Sequence, residues 1–139
     1  MAAAPSLLDT DTLSEIIKGR NAHVLVKAQE YLAAYGHFRF SILTRYEILR
    51  GLKAKQATRQ ISLFEQRCRK SEVFPLSDEV VVRATDIYAW LHQRGQLIGD
   101  ADIIIAATAL VHGLALITNN VTHFRRVPGL VIESWQDSS

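Results

Sequence analysis

The sequence is poor in the residues that mark unusual protein classes. Its 139 residues include one cysteine, Cys68, three prolines and seven glycines. A single cysteine closes no internal disulfide, which excludes a disulfide-stapled secreted scaffold and makes the cytosol the expected compartment. So little proline and glycine excludes collagen-like and low-complexity chains. No apolar run reaches the roughly 18 residues that span a bilayer. The opening stretch, MAAAPSLLDTDT, lacks the basic and hydrophobic regions of a secretion signal, so none is expected. An excess of one charge is also missing: 16 basic against 14 acidic residues leave +2, which alone says little about partners. What remains is 48% hydrophobic and 22% charged, close to the globular average. The expectation is one domain over residues 1–139, long enough to bury a core without metal or disulfides.

Strand and helix signals alternate along the chain. Ser6 to Asp9 reads as a short buried strand ending in a carboxylate, and Asp11 to Lys18 as a helix. Thr12 and Glu15 have capping-box spacing there, with Gly19 as the stop. Asn21 to Tyr35 is helical by its apolar spacing, and Phe38 to Ile42 is a second strand by alternation. Helices are expected over Thr44 to Lys53 and Ala54 to Lys70, then a third strand over Glu72 to Leu76. Ser77 caps a helix to about Arg94, Asp100 caps one through His112, and Gly113 stops it. Ala115 to Thr118 is a fourth strand and Leu130 to Glu133 a fifth. This alternation predicts a three-layer α/β/α sandwich around a mostly parallel sheet of four to five strands.

Ligands of such sheets bind beyond the C-terminal strand ends. Several polar residues belong there, and each has a local reading as well as a functional one. Asp9 ends the first strand; it is either a site carboxylate or the cap of the next helix. Glu47 completes a Thr44-x-x-Glu47 capping-box pattern, yet it also follows strand two on the same sheet edge. Asp100 fits an N-cap. Asp102 in the first turn gains from the helix dipole, but the Ile-Ile-Ile-Ala-Ala run behind it puts the carboxylate at the mouth of a buried helix. Asn119 and Asn120 suit a turn, and either also suits an acceptor role in a site.

Three carboxylates and an amide together would repel and raise one another's pKa values unless a cation neutralised them. All-oxygen ligands suit Mg²⁺ or Mn²⁺, and the five histidines show no zinc-like spacing. A carboxylate-held Mg²⁺ activates water and stabilises in-line displacement at phosphorus. A nucleic-acid substrate agrees with the charge distribution. Arg45, Arg50, Lys53, Lys55, Arg59, Arg67, Arg69 and Lys70 share one stretch with only Glu47 and Glu65, and Arg125 and Arg126 follow Asn120. Arg45, Arg50, Lys53 and Arg125 are the expected phosphate contacts, against the bland reading of a solvated helix face.

At these residues the sequence resembles PIN-domain proteins, specifically the VapC-type toxin ribonucleases of type II toxin–antitoxin systems. The matching pieces are LLDTDTLSE (7–15), YEILRGL (46–52), IGDADIIIAATALVHGLALITNNVTHF (98–124) and RVPGLVIESW (126–135), in order through nearly the whole chain. The resemblance implies a Mg²⁺- or Mn²⁺-dependent endoribonuclease that cleaves tRNA or ribosomal RNA and stops translation. Metal-activated water would attack the phosphodiester. It also implies a homodimer neutralised by a VapB-type antitoxin, in a heterotetramer or larger assembly, with no membrane partner. Carried over, the family's acidic residues fall on Asp9, Glu47 and Asp102 as metal ligands. The fourth acidic place of many relatives is taken by Asn120. Asp100, Thr118 and Asp11 are expected auxiliaries.

Two other readings remain open at this stage. A PIN-like module could bind RNA or a partner without cleaving, although loss of the acids would be expected there. Asp9-Thr10-Asp11-Thr12 also matches the D-x-D-x-T pattern of haloacid-dehalogenase-like phosphatases, with Asp9 as nucleophile. The chain is short for that fold, and the nearest lysine upstream of Gly99-Asp100 is Lys70.

Overall fold

In the computed structural model, which describes residues 4–136, five parallel strands form one sheet in the order β3-β2-β1-β4-β5. The elements run β1 Ser6–Leu8, α1 Thr10–Lys18, α2 Ala22–Tyr35, β2 Arg39–Ser41, α3 Ile42–Ala54, α4 Thr58–Arg69, β3 Glu72–Phe74, α5 Asp78–Gln93, α6 Asp100–Val111, β4 Ala115–Ile117, α7 Val121–Phe124 and β5 Ile132–Glu133. The predicted α/β/α class and parallel sheet are as observed.

Both faces of the strands are buried, and their apolar residues sort by alternation. Leu7 pairs with Leu116, and Leu116 with Ile132; these pack on one face with α5 and α6. Leu8 pairs with Phe40 and Ile117, and these meet α1, α2 and α4 on the other face, together with Trp135. The Ile103 to Ala109 stretch explains how α6 lies against the sheet: Ile103, Ile105, Ala106, Ala107 and Ala109 are all buried, and alanines allow close approach. Among the described residues no helix is long and apolar enough to cross a membrane.

Three local expectations are corrected. Helix α1 begins at Thr10 with Asp9 as its N-cap, so the Thr12/Glu15 capping box does not form. Ser41 caps α3 by accepting from the Leu43 amide, which ends the second strand a residue early and leaves Thr44 inside the helix. The Ala54 to Lys70 stretch starts later, at Thr58, because the chain turns after α3 with Gln56 at φ 55°. Ser77 caps α5 and Gly19 stops α1 as expected, while Asn21, expected inside its helix, is instead the N-cap of α2, which Gly36 closes.

One buried hydroxyl ties a helix to the central strand. Tyr31 Oη accepts from the Ser6 amide at 3.1 Å, donates to the Ser6 carbonyl at 3.1 Å, and accepts from Arg39 Nη1 at 2.7 Å. Tyr31→Phe strands these groups without water, and a buried unpaired donor or acceptor costs about 1–3 kcal/mol. Urea unfolding should show a loss of about 2 kcal/mol with unchanged slope. A loss under about 0.5 kcal/mol would show that the bonds contribute little net.

Candidate active site

The chain builds one half of the sheet outward from β1, then returns to build the other half from β4. The order reverses between β1 and β4, and this is where a crevice opens beyond the strand ends. Asp9 follows β1 and Thr118 follows β4. Thr118 Oγ1 donates to Asp9 Oδ2 at 2.7 Å across that reversal, although the two are 109 residues apart. Asp9 Oδ1 accepts from the Thr10 amide at 2.8 Å. The cap and site readings of Asp9 are therefore compatible: one oxygen serves the helix and the other faces β4.

Glu47 arrives from α3. Its Oε1 accepts from Thr10 Oγ1 at 2.6 Å, and Thr44 Oγ1 lies 3.0 Å from the same hydroxyl. Since Ser41 supplies the cap, Glu47 is freed from the capping-box role and swings to α1 instead. Asp102 enters from the first turn of α6. Burial is the main reason its carboxyl is pushed above the usual range, and the Glu47 charge adds to it. Asp11 adds further repulsion, while His123 acts in the opposite sense. Asp9 is only 4% exposed. Burial, reinforced by the neighbouring Asp11 charge, pushes it up to about 8 despite the bonds from Thr118 and Thr10. Asp9, Asp11, Glu47 and Asp102 thus gather at one sheet edge.

Beyond β4, the Asn120 amide N–H donates to Thr118 Oγ1 at 2.9 Å, and the Asn120 side chain meets His123 Nδ1 at 2.8 Å. His123 Nδ1 lies 4.0 Å from Asp102 Oδ2. Asn119 Oδ1 is buried with no hydrogen-bond partner among the described residues. Thr10, Thr44 and His123 were missed as site residues. Thr10 had a signal, a hydroxyl directly after the strand-end acid; His123 had only its i+3 spacing from Asn120.

Other expected residues lie elsewhere. Asp100 is not an N-cap: Gly99 takes that place, because its extended backbone already carries the turn into the helix. Asp100 is exposed and lines an apolar groove of about 300 Å³ with Leu76, Val81 and Tyr88. Arg45 is engaged by Glu65 at 2.6 Å. Arg50 lies over the Tyr46 ring at 5.1 Å. Lys53 and Arg125 are exposed, and no ion pair joins either to the acids among the described residues.

The donor set can be tested for a metal. Among the described residues no three acidic, imidazole or thiol side chains converge into a ready-made cage. The chemistry nonetheless fits a hard cation. The Asp11 charge pushes Asp9 up, the Glu47 and Asp11 charges push Asp102 up, and neither Lys nor Arg acts on Asp9 or Asp102. Oxygen donors that need external positive charge suit Mg²⁺ or Mn²⁺.

The PIN domain profile matches residues 6–130, the span that holds the sheet from β1 to β4 and every residue of the crevice. The chain belongs to the PIN-domain family. Its similarity to "Ribonuclease VapC1" of Methanocaldococcus jannaschii is 31% identity over 121 residues, 87% of this chain and 79% of the relative. It is 28% identical over 130 residues to a "tRNA(fMet)-specific endonuclease VapC" of Salmonella typhimurium, covering 93% and 96% of the two chains. The crystal structure of DNA-bound VapBC from Salmonella typhimurium superposes with a TM-score of 0.84 at 28% identity, over 96% of this chain and 99% of that one. Membership in the PIN-domain family removes the phosphatase reading.

Proposed function

We propose that Asp9, Glu47 and Asp102 hold one divalent cation, Mg²⁺ or Mn²⁺, and that this PIN-domain protein cleaves RNA there. As a relative of VapC ribonucleases, the chain is an endoribonuclease, the toxin of a toxin–antitoxin pair. The observation that carries the metal reading is the buried Asp9, linked to Thr118 across the sheet reversal and opposed by the Asp11 charge with no lysine or arginine acting on it.

When bound, the ion supplies positive charge against the scissile phosphate and activates water for in-line attack. The chain's own groups do the rest. Thr118 orients Asp9, Thr10 orients Glu47, and the Asn120 backbone amide keeps Thr118 in place. Asn120 itself, in the fourth acidic place, presents an amide rather than a further charge, so one ion suffices for the proposed set. Asp11 stays in an auxiliary, charge-adding role. Asp100, facing the α5–α6 groove, is left out. Arg50, Lys53 and Arg125 are the proposed phosphate-positioning cations; Arg45, held by Glu65, is a weaker candidate. The proposed substrate class is tRNA or ribosomal RNA in the cytoplasm. The proposed partner is a VapB-type antitoxin on a toxin homodimer.

The test is cleavage of a purified tRNA and rRNA pool by the antitoxin-free protein. Discrete fragments are expected with Mg²⁺ or Mn²⁺ and none with EDTA. Asp102→Asn should lower the rate roughly 100-fold, about 2.7 kcal/mol of barrier. Equal cleavage by folded Asp102→Asn would remove it from the metal set. A folded, metal-loaded wild type that binds RNA without cutting it would favour the binding-module reading.

A further inference from the structure

We propose that His123 is a further RNA-contacting residue, its Nε2–H donating to a phosphate oxygen on the rim of the acidic crevice. The inference rests on the nuclease reading above, and adds a positioning group that the acids cannot supply.

The direction of the imidazole follows from its neighbour. Asn120 Nδ2 lies 2.8 Å from His123 Nδ1. With the Asn120 amide nitrogen as the donor, Nδ1 accepts and Nε2 carries the ring proton. With Nδ1 turned to Asn120 and Asp102, Nε2 faces away from them, toward the rim. The side chain is 45% exposed, and among the described residues no group accepts from Nε2.

The site needs such a donor. A phosphodiester presents acceptors, and Asp9, Asp11, Glu47 and Asp102 add only more acceptors. The hydroxyl protons nearby are already committed: Thr118 donates to Asp9 and Thr10 to Glu47. One Asn120 amide hydrogen goes to His123 itself. The His123 Nε2–H is left facing outward on α7, two residues before the exposed Arg125. A phosphate flanking the scissile one, approaching over α7, would meet it. Because Nε2 points away from Asp102, His123 holds the strand and does not act on the reacting phosphate. The effect belongs in KM.

Steady-state cleavage of an RNA from the pool tests this with the full chain. His123→Ala should raise KM about tenfold, the worth of one good hydrogen bond, with kcat within about twofold and an unchanged melting temperature. His123→Gln should restore most of the affinity, since its carboxamide N–H₂ reaches the Nε2 position. Unchanged KM in His123→Ala overturns the proposal. So does a fall in kcat alone, which would assign His123 to Asp102 instead, or a Gln variant as weak as the Ala variant. If the wild type cuts no RNA, the nuclease reading fails separately. Filter binding of the same RNA in EDTA then still reads the contact: weaker retention by His123→Ala supports it, and equal binding, or none by either protein, overturns it.

Discussion

Asp9→Asn should abolish cleavage and, in EDTA, raise the melting temperature at pH 8. Both effects have one source. The folded protein holds the Asp9 carboxyl at about 8, against an ordinary value of 3.8. Folding therefore favours its protonated form. The associated stability is fully present below the unfolded pKa and is lost as pH rises through the folded one. Between pH 4 and 8 a shift of this size removes on the order of 5 kcal/mol from the wild type. Asparagine carries no charge, caps a helix as well as aspartate, and keeps an oxygen for the Thr10 amide. The variant should thus melt several degrees higher at pH 8, with the gap closing toward pH 4. Mg²⁺ should reverse the order by stabilising the wild type alone, as any ligand of the native state does. Cleavage should fall at least roughly 1000-fold, about 4 kcal/mol of barrier. Calorimetry at several pH values and an RNA assay check each arm. A folded variant that still cuts removes Asp9 from the chemistry, and a variant that melts lower at pH 8 would mean the carboxylate is stabilised by its bonds more than burial costs it.

Trp135→Ala should produce the largest loss of stability from a single truncation. The indole is 1% exposed and packs with Leu8, Tyr31, Phe38 and Ile117 beneath α1 and α2. Its ring lies 5.8 Å from Tyr31, and its Nε1 donates to Glu133 Oε2 at 2.9 Å. The preceding strand β5 has only two residues, Ile132 and Glu133, so its ladder is a weak anchor. Trp135 pins the segment after β5 to the far side of the sheet from the face that Ile132 covers. Emptying its pocket should cost about 3–5 kcal/mol in urea unfolding, as large aromatic-to-alanine changes in cores do. Trp135→Phe keeps most of the buried area and should cost less than half of that. Equal stability of Trp135→Ala and the wild type would show that the C-terminal segment docks without contributing.

The secondary-structure reading succeeded where the signal was local. Ser77 has its cap partner three residues ahead, and Gly19 and Gly36 take positive φ at helix ends. It slipped where several polar residues competed for one cap. Before α3, Ser41 and Thr44 have equal hydroxyls, and the end of β2 decides for Ser41. Before α6, Gly99 takes the extended conformation and leaves Asp100 in solvent. The crevice acids were legible because strand ends are legible: Asp9 follows an apolar run, and Asp102 precedes one. His123 was not, because α7 is a four-residue helix with no periodic signal.

The sequence by itself determined the layered α/β class, the placement of acids at strand and helix ends, and the family. Alternating apolar runs and caps act over a few residues, so they are written locally. Only the tertiary structure decided which groups pair. Sheet register brings Thr118 to Asp9, helix packing turns Glu47 from a cap toward Thr10, and α7 carries His123 to Asn120 and within reach of Asp102. These choices depend on distance and burial between segments far apart in the chain, and hydrogen bonds of a few ångströms leave no trace in local spacing.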